Sequence, residues 1–117
     1  MPFYLVQLSY TNIAWNTLIK EPQNRLELVR PAIENLGGKV EFAFLSFGEF
    51  DVVALFELPN NVDAAVVSML FMAGGAPRQV KITPLMTWDE GVQAMKKAKK
   101  ATYTPPKKNP MLDRTSD

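Results

Sequence analysis

The sequence contains no cysteine and no histidine among its 117 residues. The missing cysteine excludes thiolate nucleophiles and disulfides, and the missing histidine excludes imidazole general bases. Together they exclude zinc, copper or haem ligation through either residue type. Any catalysis by this chain has to use carboxylates, hydroxyls, lysine, arginine or tyrosine, and we expect no metal and no cofactor.

Long apolar runs are also missing from the sequence. The longest mostly apolar stretch, AAVVSMLFMAGGA at residues 64–76, is shorter than the roughly 18 residues that a membrane-spanning helix needs. The opening MPFYLVQLSY has no basic region before its apolar residues and is followed by no small-residue cleavage site. With 47% apolar and 21% charged residues, the sequence predicts a single globular domain in the cytoplasm.

The net charge of +1 hides an uneven distribution of charged residues along the chain. Residues 96–117 carry seven basic and two acidic residues, whereas residues 1–95 carry six basic and ten acidic ones. We therefore predict a domain over residues 1–98, including a C-terminal helix, followed by a basic, proline-containing tail over residues 99–117. The body is acidic and Tyr103 is the tail's lone aromatic residue, so we expect no nucleic-acid partner. The alternatives for the 96–117 segment are a solvated tail or an arm that binds a neighbouring protomer or a larger enzyme partner.

Hydrophobic periodicity predicts an α+β fold. Alternating or continuous β-branched and aromatic residues indicate strands, and apolar residues three and four apart indicate helices. The order is β-α-β-β-α-β, the split βαβ arrangement of ferredoxin-like domains with an antiparallel four-stranded sheet, plus an extra C-terminal helix. The predicted strands are residues 3–10, 39–47, 50–58 and 78–83; helical spacing covers residues 11–38, 59–75 and the segment after the Thr87/Glu90 capping box.

The stretch SFGEFDVV at residues 46–53 predicts a tight hairpin between the second and third strands. Gly48-Glu49 suits a two-residue type II′ turn, because that turn needs positive φ at its first central residue. In this register Phe47 faces Phe50, and Ser46 faces Asp51.

The first three strands are apolar on both faces, although a split βαβ unit places its two main helices on one face only. An uncovered second face would be a larger apolar patch than monomers normally expose. We therefore predict that two protomers pack sheet to sheet as a dimeric α/β barrel. The alternative is that the C-terminal helix of the same chain covers this face.

Several segments of the chain resemble the GYD-domain proteins, which are named after a Gly-x-Tyr-Asp pattern at this hairpin. They lie in order between residues 2 and about 106: QLSYT, LGGKVEFAFLSFGEFDVVALFELPNNVDAA, KITPLMTWDEGVQAMKKA and YTPP. The resemblance implies a bacterial, ferredoxin-like protomer that assembles as a dimeric α/β barrel, with no settled activity for the family. Phe50 stands where the family pattern has tyrosine.

Asp51 is the weak catalytic candidate of the chain. A partly desolvated carboxylate at the end of the sheet can act as a general base or as a ligand anchor. The alternative is structural: Gly48, Glu49 and Phe50 form the turn, and the Asp51 carboxylate accepts hydrogen bonds that stabilise it.

Four residues are candidates for contact with a small ligand: Tyr10, Trp15, Ser46 and Asp51. Tyr10 and Trp15 are aromatic residues with polar groups, and they lie at the junction of the first strand and the first helix. Residues of this kind are suited to line a pocket between sheet and helices. Arg25 and Arg30 are suited to binding a ligand's carboxylate, or alternatively to pairing with the acidic residues on the same helix.

These observations favour a small-ligand-binding protein, or an accessory small subunit of an enzyme, that acts as an oligomer. The alternative is a cofactor-independent isomerase, lyase or oxygenase that acts on a small organic molecule through Asp51, Tyr10 or Tyr4. That alternative draws on analogy with other enzymes of the fold, which is a weak argument because one fold supports many functions.

Overall fold

The computed structural model describes residues 1–107, which belong to two compact units. The first unit, Met1–Met86, contains a four-stranded sheet and three helices, and the second begins at Thr87 and contains one helix. In chain order the elements are β1 (Phe3–Tyr10), α1 (Asn12–Lys20), α2 (Leu26–Asn35), β2 (Lys39–Leu45), β3 (Val52–Glu57), α3 (Asn61–Gly74), β4 (Pro77–Leu85) and α4 (Trp88–Lys100).

The four strands form an antiparallel sheet in the order β2-β3-β1-β4. This confirms the α+β fold and the ferredoxin-like split βαβ topology. The strand β1 is central, and its Leu5 lies between Leu55 of β3 and Thr83 of β4. The tail residues 108–117 lie outside the described residues, and α4 continues to Lys100, two residues beyond the predicted domain boundary.

The first helical stretch is divided into α1 and α2. Glu21, which follows α1, has φ −128° and ψ 78°, as expected for a residue that precedes a proline and is driven out of the helical region. A proline inside a helical pattern lacks a backbone donor and tends to kink or break the helix, but Pro31 does not break α2, which runs through that residue to Asn35.

The core lies between one face of the sheet and the helices α2 and α3. Alternate residues of β1 and β3 point to this face, and Ile33 of α2 and Val67 of α3 are each 1% exposed against it. The Tyr4 hydroxyl, on the same face, donates a 2.6 Å hydrogen bond to Oδ1 of Asn61. Full burial of side chains of this size stabilises the fold by roughly 1.5–3 kcal/mol each. The buried cluster consists of Tyr4, Val6, Ile33, Val40, Ala54, Phe56, Leu58, Ala64 and Val67.

The opposite face of the sheet is also apolar, as the sequence predicts. The pairing of β2 with β3 shifts register between Val40 and Phe42, so that Val40 faces the helices while Phe42 and Phe44 lie on the other face. Their rings are 5.7 Å apart, and the Phe44 side chain is 66% exposed. We call this surface the open face; its apolar residues are Phe3, Leu5, Phe42, Phe44, Val53, Leu55 and Leu85, and the polar residues that share it include Gln7, Glu57, Lys81 and Thr83.

The predicted two-residue hairpin turn is wrong. The strand β2 ends at Leu45 and β3 begins at Val52, and the last bond across the loop joins the Ser46 N–H to the Asp51 carbonyl at 2.7 Å. Gly48 does not have the positive φ that a type II′ turn requires. Phe47 is fully exposed whereas Phe50 is buried, so these two rings do not pack as a cross-strand pair. The connection is therefore the six-residue loop 46–51, with Gly48, Glu49 and Phe50 inside it.

Helices of the described part of the chain are all too short or too polar to cross a membrane.

Candidate functional site

The Asp51 carboxylate connects the 46–51 loop to the start of α1. Its Oδ2 atom accepts two hydrogen bonds, from the backbone N–H of Tyr10 at 2.8 Å and from the indole Nε1–H of Trp15 at 3.2 Å. The backbone N–H of Asp51 donates to the carbonyl of Leu8 at 2.8 Å. Asp51 is thus bonded to β1 through both its backbone and its side chain. These hydrogen bonds, with the one from Trp15, connect the 46–51 loop to β1 and α1.

Ser9 makes a second connection between β1 and the loop. Its side chain is 1% exposed, and its hydroxyl donates to the carbonyl of Glu49 at 3.1 Å. Sequence patterning did not single out Ser9. It is buried next to the buried Leu8, at the point where the pairing of β1 with β4 shifts register between Ser9 and Tyr10, and a register shift of this kind leaves no clear signal in the sequence.

Tyr10 and Trp15 pack edge to face at the same end of the sheet. Their ring centroids are 5.3 Å apart and their planes are almost perpendicular, the arrangement that aromatic quadrupoles favour. Burial raises the pKa of the Tyr10 phenol above its ordinary value; the nearby positive charge of Arg25 opposes this rise, and the negative charge of Asp51 adds to it. The phenol is therefore protonated at neutral pH and is available as a hydrogen-bond donor.

A cavity of about 750 Å³ lies between the helix-covered face of the sheet and the helices α1 and α2. Its volume falls in the range of about 300 to 1,000 Å³ that is typical of small-molecule sites. The walls are mostly apolar, with Phe56 of β3, Leu26 and Val29 of α2 and Phe71 of α3 among the lining residues. Tyr10, Trp15, Gln23, Asn24 and Arg25 add the polar groups to this lining.

The structure brings together some of the predicted ligand contacts and separates others. Tyr10 and Trp15 line the cavity, and so does Arg25. Asp51 and Ser46 are not among the lining residues; Asp51 accepts hydrogen bonds from Tyr10 and Trp15, and Ser46 bonds to Asp51 through the main chain. Leu18 and Phe71 also line the cavity, but in the sequence they are ordinary apolar residues of helices.

A smaller cavity of about 310 Å³ shares three residues with the larger one: Tyr10, Leu18 and Arg25. Its other walls come mainly from α1 and from the segment that joins α3 to β4. Tyr10 and Arg25 therefore stand where the two cavities adjoin, and both are only partly buried.

Metal binding finds no support in the part of the chain that is described. Residues 1–107 contain no group of three or more acidic side chains placed to hold an ion.

The family of the chain follows from comparison with protein-family models. The model described as the GYD domain matches residues 4–98. The chain belongs to the GYD domain family. This confirms the resemblance noted in the sequence. No curated protein and no solved structure matches the chain.

The matched GYD domain contains every residue of the site described above. It covers the sheet, the helices α1 to α3 and most of α4. Phe50, at the position where the family pattern has tyrosine, is 9% exposed. In this GYD domain the position is therefore occupied by a buried side chain without a polar group.

Proposed function

We propose that this GYD domain protein binds a small organic ligand in the cavity between the sheet and the helices α1 and α2. The observation that carries the proposal is the cavity itself, which has a mostly apolar wall and a few polar groups at one end. That combination is characteristic of ligand sites, because the apolar wall supplies affinity and the polar groups supply orientation.

Two features favour binding over the enzymatic alternative. The Asp51 carboxylate accepts two hydrogen bonds through one oxygen and does not line the cavity, so it is badly placed to remove a proton from a bound molecule. Tyr10 does line the cavity, but the raised pKa of its phenol keeps it protonated at neutral pH, so it has no free basic oxygen to accept a proton. Asp51 is therefore excluded as a general base by its position, and Tyr10 by its protonation at neutral pH.

Filling the cavity is expected to abolish binding. Ala43 of β2 is half-buried and lines the cavity, so Ala43→Leu places three further carbon atoms in the ligand's space. We expect the neutral fluorescent dye Nile red to bind the wild-type protein at one site per chain, and Ala43→Leu to weaken this binding by at least about tenfold, or 1.4 kcal/mol. The measurement is a fluorescence titration of folded protein, checked by thermal melting.

The matched control is Ala65→Leu, because Ala65 lies exposed on α3 and away from the cavity lining. This variant should bind the dye like the wild type. Equal binding by Ala43→Leu and wild type, or no binding by either, would contradict the proposal.

We further propose that the protein acts as a homodimer in which the open faces of two protomers pack together. The support is the composition of this face, where Phe42, Phe44 and Leu85 are each at least 39% exposed. Contiguous apolar surface of this kind normally marks an interaction site. The alternative, that α4 of the same chain covers the open face, predicts a monomer.

Leu55 is at the centre of the open face, between Leu5 of β1 and Phe42 of β2. We expect size-exclusion chromatography with light scattering to give twice the chain mass for the wild type. Leu55→Arg should give the mass of one chain, because a charge would be buried without a partner in the interface. Met69→Arg, at an exposed position on α3, should leave the mass doubled. A wild-type monomer at micromolar concentration would refute the dimer.

A further inference from the structure

The polar end of the larger cavity contains one positive charge. Arg25 precedes the first residue of α2 and lines both cavities. It lies close enough to Tyr10 for its charge to influence the phenol. The guanidinium and the phenol hydroxyl are both hydrogen-bond donors, so the two groups together offer donors to an acceptor in the cavity.

No protein carboxylate within residues 1–107 neutralises Arg25. The ion pair in this part of the chain is Lys39 with Glu41, at 3.6 Å on the far strand β2. The negative charge that acts on the Tyr10 phenol belongs to Asp51, whose Oδ2 already accepts from the Tyr10 backbone N–H and the Trp15 indole. Of the two charges that act on the Tyr10 phenol, Arg25 has the stronger influence. The polar end of the cavity is therefore suited to an anionic group.

We propose that the cavity binds an amphipathic monocarboxylic acid, whose carboxylate is held by Arg25 and the Tyr10 hydroxyl and whose apolar body lies along Phe56, Leu26 and Val29. This inference rests on the proposed ligand-binding function and specifies the chemical class of the ligand. A planar guanidinium matches a carboxylate well, because it can donate two parallel hydrogen bonds to the two oxygens.

A single negative charge fits this site better than a phosphate does. One arginine is available, and the charge of Asp51 nearby opposes a dianion. The start of α2 adds no free donor at its first residue, because the Leu26 N–H is bonded to Oδ1 of Asn24 at 3.0 Å. The next two N–H groups bond to the carbonyls of Asn24 and Arg25.

The apolar walls of the cavity determine the chemistry of the rest of the ligand. Most of the lining residues are apolar, Leu26, Val29, Phe56 and Phe71 among them, and no second charged residue appears in the lining. A ligand that carried polar groups along its whole length would lose their hydration without gaining partners. A ligand with an apolar body and one terminal carboxylate therefore fits both the apolar walls and the polar end of the cavity.

The test compares decanoate with 1-decanol, two ligands that have the same chain and differ in the charge of the end group. Each displaces Nile red from the full-length protein at neutral pH and constant ionic strength. We expect the wild type to bind decanoate at least about tenfold more tightly than decanol, since hydrogen bonds to charged groups exceed neutral ones by that much. Arg25→Met should remove this preference by weakening decanoate roughly 10- to 100-fold, while decanol binding stays unchanged.

Arg30→Met is the matched control, because Arg30 lies exposed on α2 outside the cavity lining and has the same charge. It should retain the preference for decanoate. Tyr10→Phe should weaken decanoate a few-fold and leave decanol unchanged, because it removes a hydroxyl and keeps the ring.

Two results would overturn the inference and are distinguishable from failure of the proposed function. If Nile red and decanol bind but decanoate binds no better, the cavity takes neutral apolar ligands and the carboxylate assignment is wrong. If Arg25→Met and Arg30→Met weaken decanoate equally, the preference comes from net charge and not from the site. If neither Nile red nor decanol binds, the ligand-binding function fails together with the inference.

Discussion

Replacing Asp51 with alanine is expected to lower the free energy of unfolding by about 2–4 kcal/mol, because two donors lose a charged acceptor. The backbone N–H of Tyr10 and the indole N–H of Trp15 both bond to Oδ2 of Asp51. Both donors are at the partly buried junction of β1, α1 and the 46–51 loop, where water can replace the lost carboxylate only in part. Urea unfolding followed by circular dichroism measures the loss.

Two further variants separate geometry from charge. Asp51→Asn keeps an acceptor oxygen in the same place and should cost about 1 kcal/mol, since neutral hydrogen bonds are weaker than charged ones. Glu49→Ala removes an exposed carboxylate two residues away and should change stability by less than about 0.5 kcal/mol, since the contact that Glu49 makes with Ser9 uses its backbone carbonyl.

The same variants distinguish a structural role of Asp51 from a functional one. A structural Asp51 predicts that Asp51→Asn, which remains folded, binds Nile red like the wild type. Wild-type stability of Asp51→Ala, together with loss of ligand binding in Asp51→Asn, would instead make Asp51 a ligand contact and would revive the enzymatic alternative.

The second large effect is expected at Gly38, where α2 passes into β2. A Cβ atom at this position would lie 2.6 Å from the carbonyl oxygen of Glu57 and 2.7 Å from Cδ2 of Leu58, with Cγ2 of Ile33 at 3.1 Å. Leu58 and Ile33 are almost completely buried, and the Glu57 oxygen belongs to the sheet, so none of the three can move freely. We expect Gly38→Ala to destabilise the fold by about 3 kcal/mol, at the upper end for overpacked sites.

Gly48→Ala provides the control for this prediction. A Cβ atom at Gly48 meets nothing within 4 Å, and this glycine does not have positive φ. Its free energy of unfolding in urea should therefore match that of the wild type within about 0.5 kcal/mol. Equal midpoints for Gly38→Ala and Gly48→Ala would show that the α2 to β2 junction adapts, and that the position of α2 over the cavity is less constrained than the distances indicate.

The turn at this junction explains why α2 is so closely positioned. The Gly38 N–H bonds to the Ile33 carbonyl and the Gly37 N–H to the Glu34 carbonyl, which is the Schellman pattern. Gly37 has φ +83°, which glycine adopts without steric cost. Glycine after a helix is a local stop signal that a sequence carries, whereas the close approach of Gly38 to Glu57 and Leu58 depends on tertiary structure.

The composition and periodicity of the sequence determined the class of fold. Apolar residues at spacings of two and of three to four are local signals, and they indicated every strand and the order in which helices separate them. The caps at Asn60 and Thr87 are local as well, because a side chain bonds to an N–H three residues ahead. The apolar character of both sheet faces was visible for the same reason.

Tertiary structure alone decided which residues meet. The register shift between Val40 and Phe42 assigns Phe42 and Phe44 to the open face, and the one between Ser9 and Tyr10 accompanies the burial of Ser9 beside Leu8. Asp51 finds its donors 41 and 36 residues away along the chain, which no local spacing encodes. The same holds for the cavity, whose existence depends on how closely α1 and α2 approach the sheet. Local sequence determines periodicity and caps through short-range sterics, whereas register, long-range hydrogen bonds and empty space depend on packing between distant segments.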